Sequence, residues 1–317
     1  MTLLCAGTVL LGACTSTDEP ERGGASPSTN GAVQVINANY ELVADEANRV
    51  LIGLVLPDNR FIAYGSVQMR FARLDDAGQQ VGETSQIVTG SYLAVPGTDE
   101  GDPAADPQAT SPATSRGVYE LEGVRFGEPG TWVVEVATRV QGVGTVQGAT
   151  QIEVLAEPQV PGEGERAPRS DNAVIGDRGI EPSALDSRAT GGESSIPDPE
   201  LHQVSIADAL RDRRYAVVVF STPVYCVSRF CGPVTDMVQG LVKSFDSVAD
   251  FIHVEVWQDF ENKVPNPTAN AWLNHDETFN EPWLFLIGPD GKILARWDNL
   301  FTAAEVTASL EDLIRIP

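Results

Sequence analysis

Residues 215–233 read Tyr-Ala-Val-Val-Val-Phe-Ser-Thr-Pro-Val-Tyr-Cys-Val-Ser-Arg-Phe-Cys-Gly-Pro. The unbroken apolar run Tyr215 to Phe220 predicts a strand in a sheet covered on both faces. Gly232-Pro233 marks a helix start, because proline tolerates the first turn, where its missing N–H has no partner to lose. Beyond it Val234, Met237, Val238, Leu241, Val242 and Phe245 recur at helical intervals along one face. Cys226 and Cys231 lie between strand and helix, where backbone N–H groups stabilise a thiolate, the nucleophile of disulfide exchange. On an uninterrupted helix two residues five apart are separated by about 7.5 Å along the axis. Bridging requires Cα atoms within roughly 7 Å. The four intervening residues are therefore expected to bulge as a loop, with the helix beginning near Pro233. Arg229, inside that loop, would further favour a thiolate.

Around this centre, helix and strand alternate from Leu201 onward. Ser205 caps a helical stretch through Leu210, and Phe251 to Trp257 reads as a strand. Trp283 to Ile287 and Lys292 to Trp297 flank the hairpin signal Gly288-Pro289-Asp290-Gly291, and Thr302 to Ile314 closes with an amphipathic helix. This order resembles the thioredoxin-like superfamily over residues 201–317. The resemblance is carried by Val217-Val218-Val219-Phe220, Cys226, Cys231 and Glu281-Pro282-Trp283. It implies an α/β thioredoxin-like domain with Cys226 as attacking thiol and Cys231 as resolving thiol. It also implies an aromatic Tyr225 before the nucleophile, and a cis Pro282 with Trp283 beside the dithiol, presenting backbone to a bound substrate. No cofactor is implied, and the partners would be thiols and disulfides of other proteins. Two departures stand out: family dithiols are usually Cys-x-x-Cys, and Val219 lies near the place of the family's buried proton-transferring acid.

Upstream, residues 33–156 show short strands between turn signals. These include Val50 to Val55, a longer run from Phe61 to Leu74, the turn Asp75-Asp76-Ala77-Gly78, Val118 to Phe126, Thr131 to Val136 and Thr145 to Leu155. Roughly seven strands in this pattern predict an all-β antiparallel sandwich. The stretch resembles immunoglobulin-like modules, with Gly130-Thr131-Trp132 as the late-strand feature and Trp132 expected in the core. Val95 to Arg116 is expected as a mobile loop whose acids lack the spacing of a calcium site. Residues 157–200, dense in Pro, Gly, Ser and charge, read as a linker with parts able to pack on a domain.

The N-terminus reads as a targeting segment. Leu3 to Ala13 is apolar but too short to span a bilayer, and Leu11-Gly12-Ala13-Cys14 resembles the lipobox of bacterial lipoproteins. The resemblance implies a signal peptide at 1–13 and Cys14 as lipid attachment site, although no Lys or Arg precedes the apolar run. Residues 14–32 read as a flexible tether, placing the chain on the extracytoplasmic side of a membrane, where disulfides persist. Of four cysteines, Cys5 would leave with the signal and Cys14 would be acylated, so Cys226 and Cys231 pair with each other or with a partner. The excess of 45 acidic over 21 basic residues, a net charge of -24, argues against nucleic acid as a partner and suits an exported, soluble body.

Other readings of the dithiol stay open. A structural disulfide closing so small a ring contributes about 2 kcal/mol through loop entropy. Some thioredoxin-like membrane proteins bind copper through a dithiol and a distal histidine, a place His275 would fill, although their loop is Cys-x-x-x-Cys-Pro; the expectation here is no metal. A peroxidase reading would use Thr222, which sits four residues before Cys226, one off that family's spacing. His253 reads as a packing or surface residue within a strand, and His202 has no evident partner. No Gly-rich phosphate loop or Ser/His/Asp set stands out.

Overall fold

Apolar residues alternate with polar ones along the upstream strands, so each buries one face. In a computed structural model, which describes residues 31–114, 116–190, 196–273 and 280–315, ten strands share one hydrogen-bonded sheet. They are β1 (Gln34–Asn37), β2 (Asn48–Val55), β3 (Phe61–Ala63), β4 (Ser66–Leu74), β5 (Gln80–Val81), β6 (Val88–Ala94), β7 (Gln108–Thr110), β8 (Gly117–Val124), β9 (Gly130–Val140) and β10 (Gly144–Val154). The order is β10-β9-β4-β6-β8-β2-β3-β7, with β1 on β2 and β5 on β4, all antiparallel. Ala32 also bridges Gln147, so the segment leading into β1 ties the β2 side of the sheet to β10. The inner faces supply one core, with Val50, Ile52, Leu54, Met69, Phe71, Tyr119, Val134, Val136 and Ile152. Two stacked sheets were the expectation; the hydrogen bonds join the strands into one. Alternation shows which face of a strand is buried, but not whether the sheet folds over or divides.

The expected run from Phe61 to Leu74 is broken at Tyr64-Gly65, both with positive φ (66° and 61°). A side chain at Gly65 would meet the Ala105 carbonyl oxygen at 2.2 Å, so the loop at 95–116 is packed against this corner. That loop also contributes β7, paired with β3. Trp132 is partly buried against Phe126, with ring centroids 5.1 Å apart.

The second sheet has four strands: β11 (Tyr215–Ser221), β12 (Ala249–Glu255), β15 (Trp283–Ile287) and β16 (Ile293–Asp298), in the order β12-β11-β15-β16. β11 pairs parallel with β12 and antiparallel with β15, which pairs antiparallel with β16. A small β13–β14 pair (Trp257–Asp259 with Val264–Pro265) lies between. Among the described residues four α-helices accompany it: α1 (Ile206–Asp212), α2 (Cys231–Phe245), α3 (Pro267–Leu273) and α4 (Ala303–Arg315). The apolar stripe predicted on α2 packs on Val217, Val219, Phe251, Leu284 and Leu286, with Val306 and Leu310 of α4 beside it. The other sheet face packs on α1 and α3 through Ile206, Ala209, Ala269, Trp272 and Leu273. Ser205 caps α1 by accepting from the Asp208 N–H at 3.1 Å.

The described residues of 157–202 are mostly irregular, yet they pack. Val160 and Ala167 enter the α1/α3 core, and Asp186, Ser187 and His202 are buried. Leu51 and Val118 of the first sheet, and Val95 just after β6, join the cluster containing Leu300 and Phe301. A polar seam runs alongside. Tyr40 N–H donates to Asp298 Oδ2 at 2.6 Å, Asn299 Nδ2 donates to the Ala38 carbonyl at 2.6 Å, and Arg296 pairs with Glu41 at 2.6 Å. Arg49 pairs with Glu120 at 2.6 Å and Glu305 at 2.8 Å, and burial with these carboxylates makes it the central charge of the seam. Arg49→Ala would strand two partly buried carboxylates without their cation, so a loss of about 3 kcal/mol is expected, read by chemical denaturation. A loss under about 1 kcal/mol, the ordinary value of an exposed pair, would show the seam to be solvated.

Candidate functional site: the Cys226–Cys231 disulfide

β11, an inner strand of the second sheet, delivers the chain to its C-terminal end, where the apolar run ends and Thr222 begins the dithiol loop. The Cys226 N–H donates to the Thr222 carbonyl at 3.1 Å, turning the loop back at once. Arg229 takes left-handed backbone (φ 64°) and is exposed on the loop's outer side. The bulge brings the two cysteine Cα atoms to 6.0 Å, and the sulfurs are bonded. Helix α2 starts at Cys231 itself, with Pro233 in its first turn, two residues earlier than expected. The first-turn N–H groups lack helical partners, and that of Cys231 points at Cys226 Sγ, 3.4 Å away. Ser228 Oγ lies 3.2 Å from the same sulfur. Cys226 is half-buried, whereas Cys231 is fully buried.

The flanking groups come from four parts of the chain. Tyr225 stacks on Phe260 with ring centroids 3.8 Å apart, and Phe260 meets Trp257 edge-on at 5.5 Å. Lys263 lies over Phe260 at 3.9 Å, which makes a half-exposed aromatic wall beside the loop. The Glu281–Pro282 peptide is cis, and Pro282 and Trp283 are buried at the start of β15. Tyr40, from the first sheet's side, packs on Trp283 with centroids 6.0 Å apart, and its hydroxyl reaches the Glu281 carbonyl and lies 2.8 Å from Asn299 Oδ1.

Two acids at the site escaped the sequence reading. A Glu281 carboxylate oxygen and the two sulfurs lie within 4.8 Å of one another. Burial, and then the charge of Glu255, push the Glu281 carboxyl up to about 7. Glu255, at the end of β12, is also pushed up to about 7 by burial, against hydrogen bonds that favour its ionised form. It accepts from the Ser187 N–H at 2.9 Å and the Trp257 N–H at 3.3 Å, and the Thr222 side chain lies beside it. The position of Val219 carries no acid, but the neighbouring strand and the cis-proline turn each bring one. Glu281 adjoined a recognised feature and was the one signal available; Glu255 had none.

These carboxyls set a pH dependence. A group at about 7 when folded and 4.5 when unfolded takes its proton first in the folded chain. Folding stability is therefore expected to rise as pH falls from 8 towards 5.5, over the window between these values. His253, lowered to about 3 by burial and by His202, opposes this only below about pH 6.5. Denaturation midpoints at pH 8 and pH 6 test it: the pH 6 value is the higher, and Glu255→Gln reduces the difference.

No protein-family model and no curated protein matches this chain.

Chemically, the loop offers a half-exposed sulfur facing a helix N-terminus, a buried partner sulfur, and a carboxyl able to exchange a proton near neutral pH. With the disulfide reduced, both sulfurs and Glu281 could also ligate a cation. Three other expectations, Cys14 as lipid site, the 1–13 signal segment and His275, lie outside the described residues. No helix among the described residues is long and apolar enough to cross a membrane.

Proposed function

We propose that this chain is a membrane-anchored, extracytoplasmic thiol–disulfide oxidoreductase of thioredoxin-like type, carried on an immunoglobulin-like module and acting on exported proteins. The observation behind this reading is the asymmetry of the two sulfurs. Cys226 is reachable and has a helix-start N–H aimed at it, whereas Cys231 is enclosed. In the reducing direction the Cys226 thiolate attacks a substrate disulfide, forming a mixed disulfide and releasing one substrate thiolate. Cys231, losing its proton to Glu281, then attacks the Cys226 sulfur and expels the second substrate thiolate. Two electrons pass to the substrate and the Cys226–Cys231 bond re-forms; oxidation runs the same steps backwards. Half-buried Tyr225 would face the substrate, with the buried Pro282 and Trp283 backing the site from beneath, and Arg229 would add positive charge at the rim. Cys14 would hold the chain to the membrane by its lipid.

The alternative is a non-catalytic surface lipoprotein with a structural disulfide. Its support is Tyr40, which packs the first sheet's side onto the cis-proline turn and closes part of the site's surroundings. Cys231→Ser separates the two. The variant is expected to accumulate mixed disulfides through Cys226, resolved by mass spectrometry after alkylation. A variant that collects no partner, with wild-type protein inert towards a peptide disulfide, would favour the structural reading.

A further inference from the structure

A second cluster lies behind the dithiol loop, on the α2 face of the sheet. Asp186 comes from the irregular stretch before α1, His202 from the last position of a 3-10 turn (Pro199–His202), and His253 from β12. All three side chains are 0% exposed. His253 Nε2 lies 3.2 Å from the Ser221 carbonyl, an acceptor, so that nitrogen carries the ring's proton and Nδ1 is left as a lone pair. That lone pair faces Asp186 Oδ2 at 3.7 Å, and His202 Nε2 lies 3.9 Å from the same oxygen. Neither nitrogen of His202, nor Nδ1 of His253, has a hydrogen-bond partner. The Asp186 carboxylate and the His253 lone pair are acceptors that converge in a dry site, and a His202 lone pair joins them when that ring is neutral with its proton on Nδ1; a cation between them would satisfy all three.

The surrounding charge suits a divalent ion. Arg188 pairs with Asp186, Asp198 and Asp236, each at 2.7 Å, so three carboxylates face one guanidinium and two negative charges remain. Arg188 grips Asp186 with Nε on Oδ1 at 3.0 Å and a terminal nitrogen on Oδ2 at 2.7 Å, which fixes the carboxylate with Oδ2 shared between the guanidinium and the imidazole side. The three ligand atoms lie within 4.8 Å of one another. Two imidazole nitrogens and one carboxylate oxygen are a donor set for Zn2+, whose bonds of about 2.0–2.2 Å would draw them slightly together. The Ser221 carbonyl on His253 and the Arg188 fork on Asp186 are the outer partners that orient such ligands.

We propose that Asp186, His202 and His253 form a buried zinc site that fastens the 157–202 segment to the sheet and props the dithiol loop. Two hydrogen-bond chains join the places. Ser187, next to Asp186, accepts the Val224 N–H of the loop at 3.2 Å. Ser221, whose carbonyl faces His253, meets Thr235 at 2.6 Å, and Thr235 donates to the Cys231 carbonyl at 2.8 Å. The site stands whether or not the dithiol exchanges.

The test uses the full oxidised chain, whose bonded sulfurs cannot compete for metal. It is refolded from denaturant after chelation, with and without Zn2+, then dialysed and measured by elemental analysis and thermal denaturation. One bound zinc per chain and a raised midpoint are expected, both lost in His202→Ala and in Asp186→Asn. Refolding wild-type protein with Co2+ gives a measurement independent of any variant: a visible d–d spectrum of cobalt on nitrogen and oxygen ligands, without sulfur charge transfer, is expected. Zinc-free wild-type protein with an unchanged midpoint, or full zinc uptake by the variants, would overturn the proposal and leave an ion pair between His202 and Asp186.

Discussion

Cys226→Ser is expected to reduce thiol–disulfide exchange with a peptide substrate to background, a fall of at least about 1,000-fold, because nothing else in the loop can replace the attacking sulfur. The expectation rests on which sulfur can be reached. Cys231 is fully buried at the first position of α2, whereas Cys226 is half-buried with Ser228 Oγ and the Cys231 N–H around it. Cys231→Ser should behave differently: its first step survives and its product persists as a mixed disulfide. If the bridge were only structural, both substitutions would cost the same, about 2 kcal/mol of stability, and neither would alter exchange. Equal, small effects on rate from the two variants would therefore remove Cys226 from its proposed role.

Glu281→Gln is expected to slow resolution of the mixed disulfide by about 100-fold, the lower part of the range for a positioned proton acceptor. With its carboxyl at about 7, Glu281 is half-ionised near neutral pH and accepts a proton increasingly as pH rises through that value. The wild-type rate of resolution should climb between pH 6 and pH 8, and the climb should vanish in the variant. Single-turnover release of substrate from the mixed disulfide reads this step apart from the initial attack. Glu255→Gln should move the midpoint of that climb downward, since Glu255 is the charge that raises Glu281 beyond the effect of burial. An unchanged profile in Glu281→Gln would mean that solvent takes the proton.

Strands and helices around the dithiol were legible because their periodicity is strong. Val217, Val219, Val234, Val238 and Leu241 sit where the pattern puts them, and the Cys-x4-Cys spacing forced a bulged loop that brings the cysteines together. The cis peptide at Pro282 is an expectation carried by the thioredoxin-like resemblance, and the peptide is cis. What stayed hidden depends on long-range packing. β6 and β7 carry weak patterns, and β7 is three residues long in a loop rich in turn formers. The 157–200 stretch has too little apolar content to announce a contact, yet it is pinned by Val160, Ala167 and the Arg188–Asp236 pair to α2. His202 and His253 are 51 positions apart in the numbering, and no local signal says their rings meet at 5.2 Å. Likewise Tyr40 lies in a short stretch between strands, and only the folded chain brings it to Trp283.

The ability of the Cys226–Cys231 pair to change oxidation state under mild conditions is tested most directly by equilibrating the chain with glutathione mixtures and counting free thiols by mass after acid quenching. A half-reduction point above about −300 mV is the predicted result, because a helix-start N–H facing Cys226 stabilises the reduced, ionised form. A pair that stays fully bonded across all glutathione mixtures would contradict it.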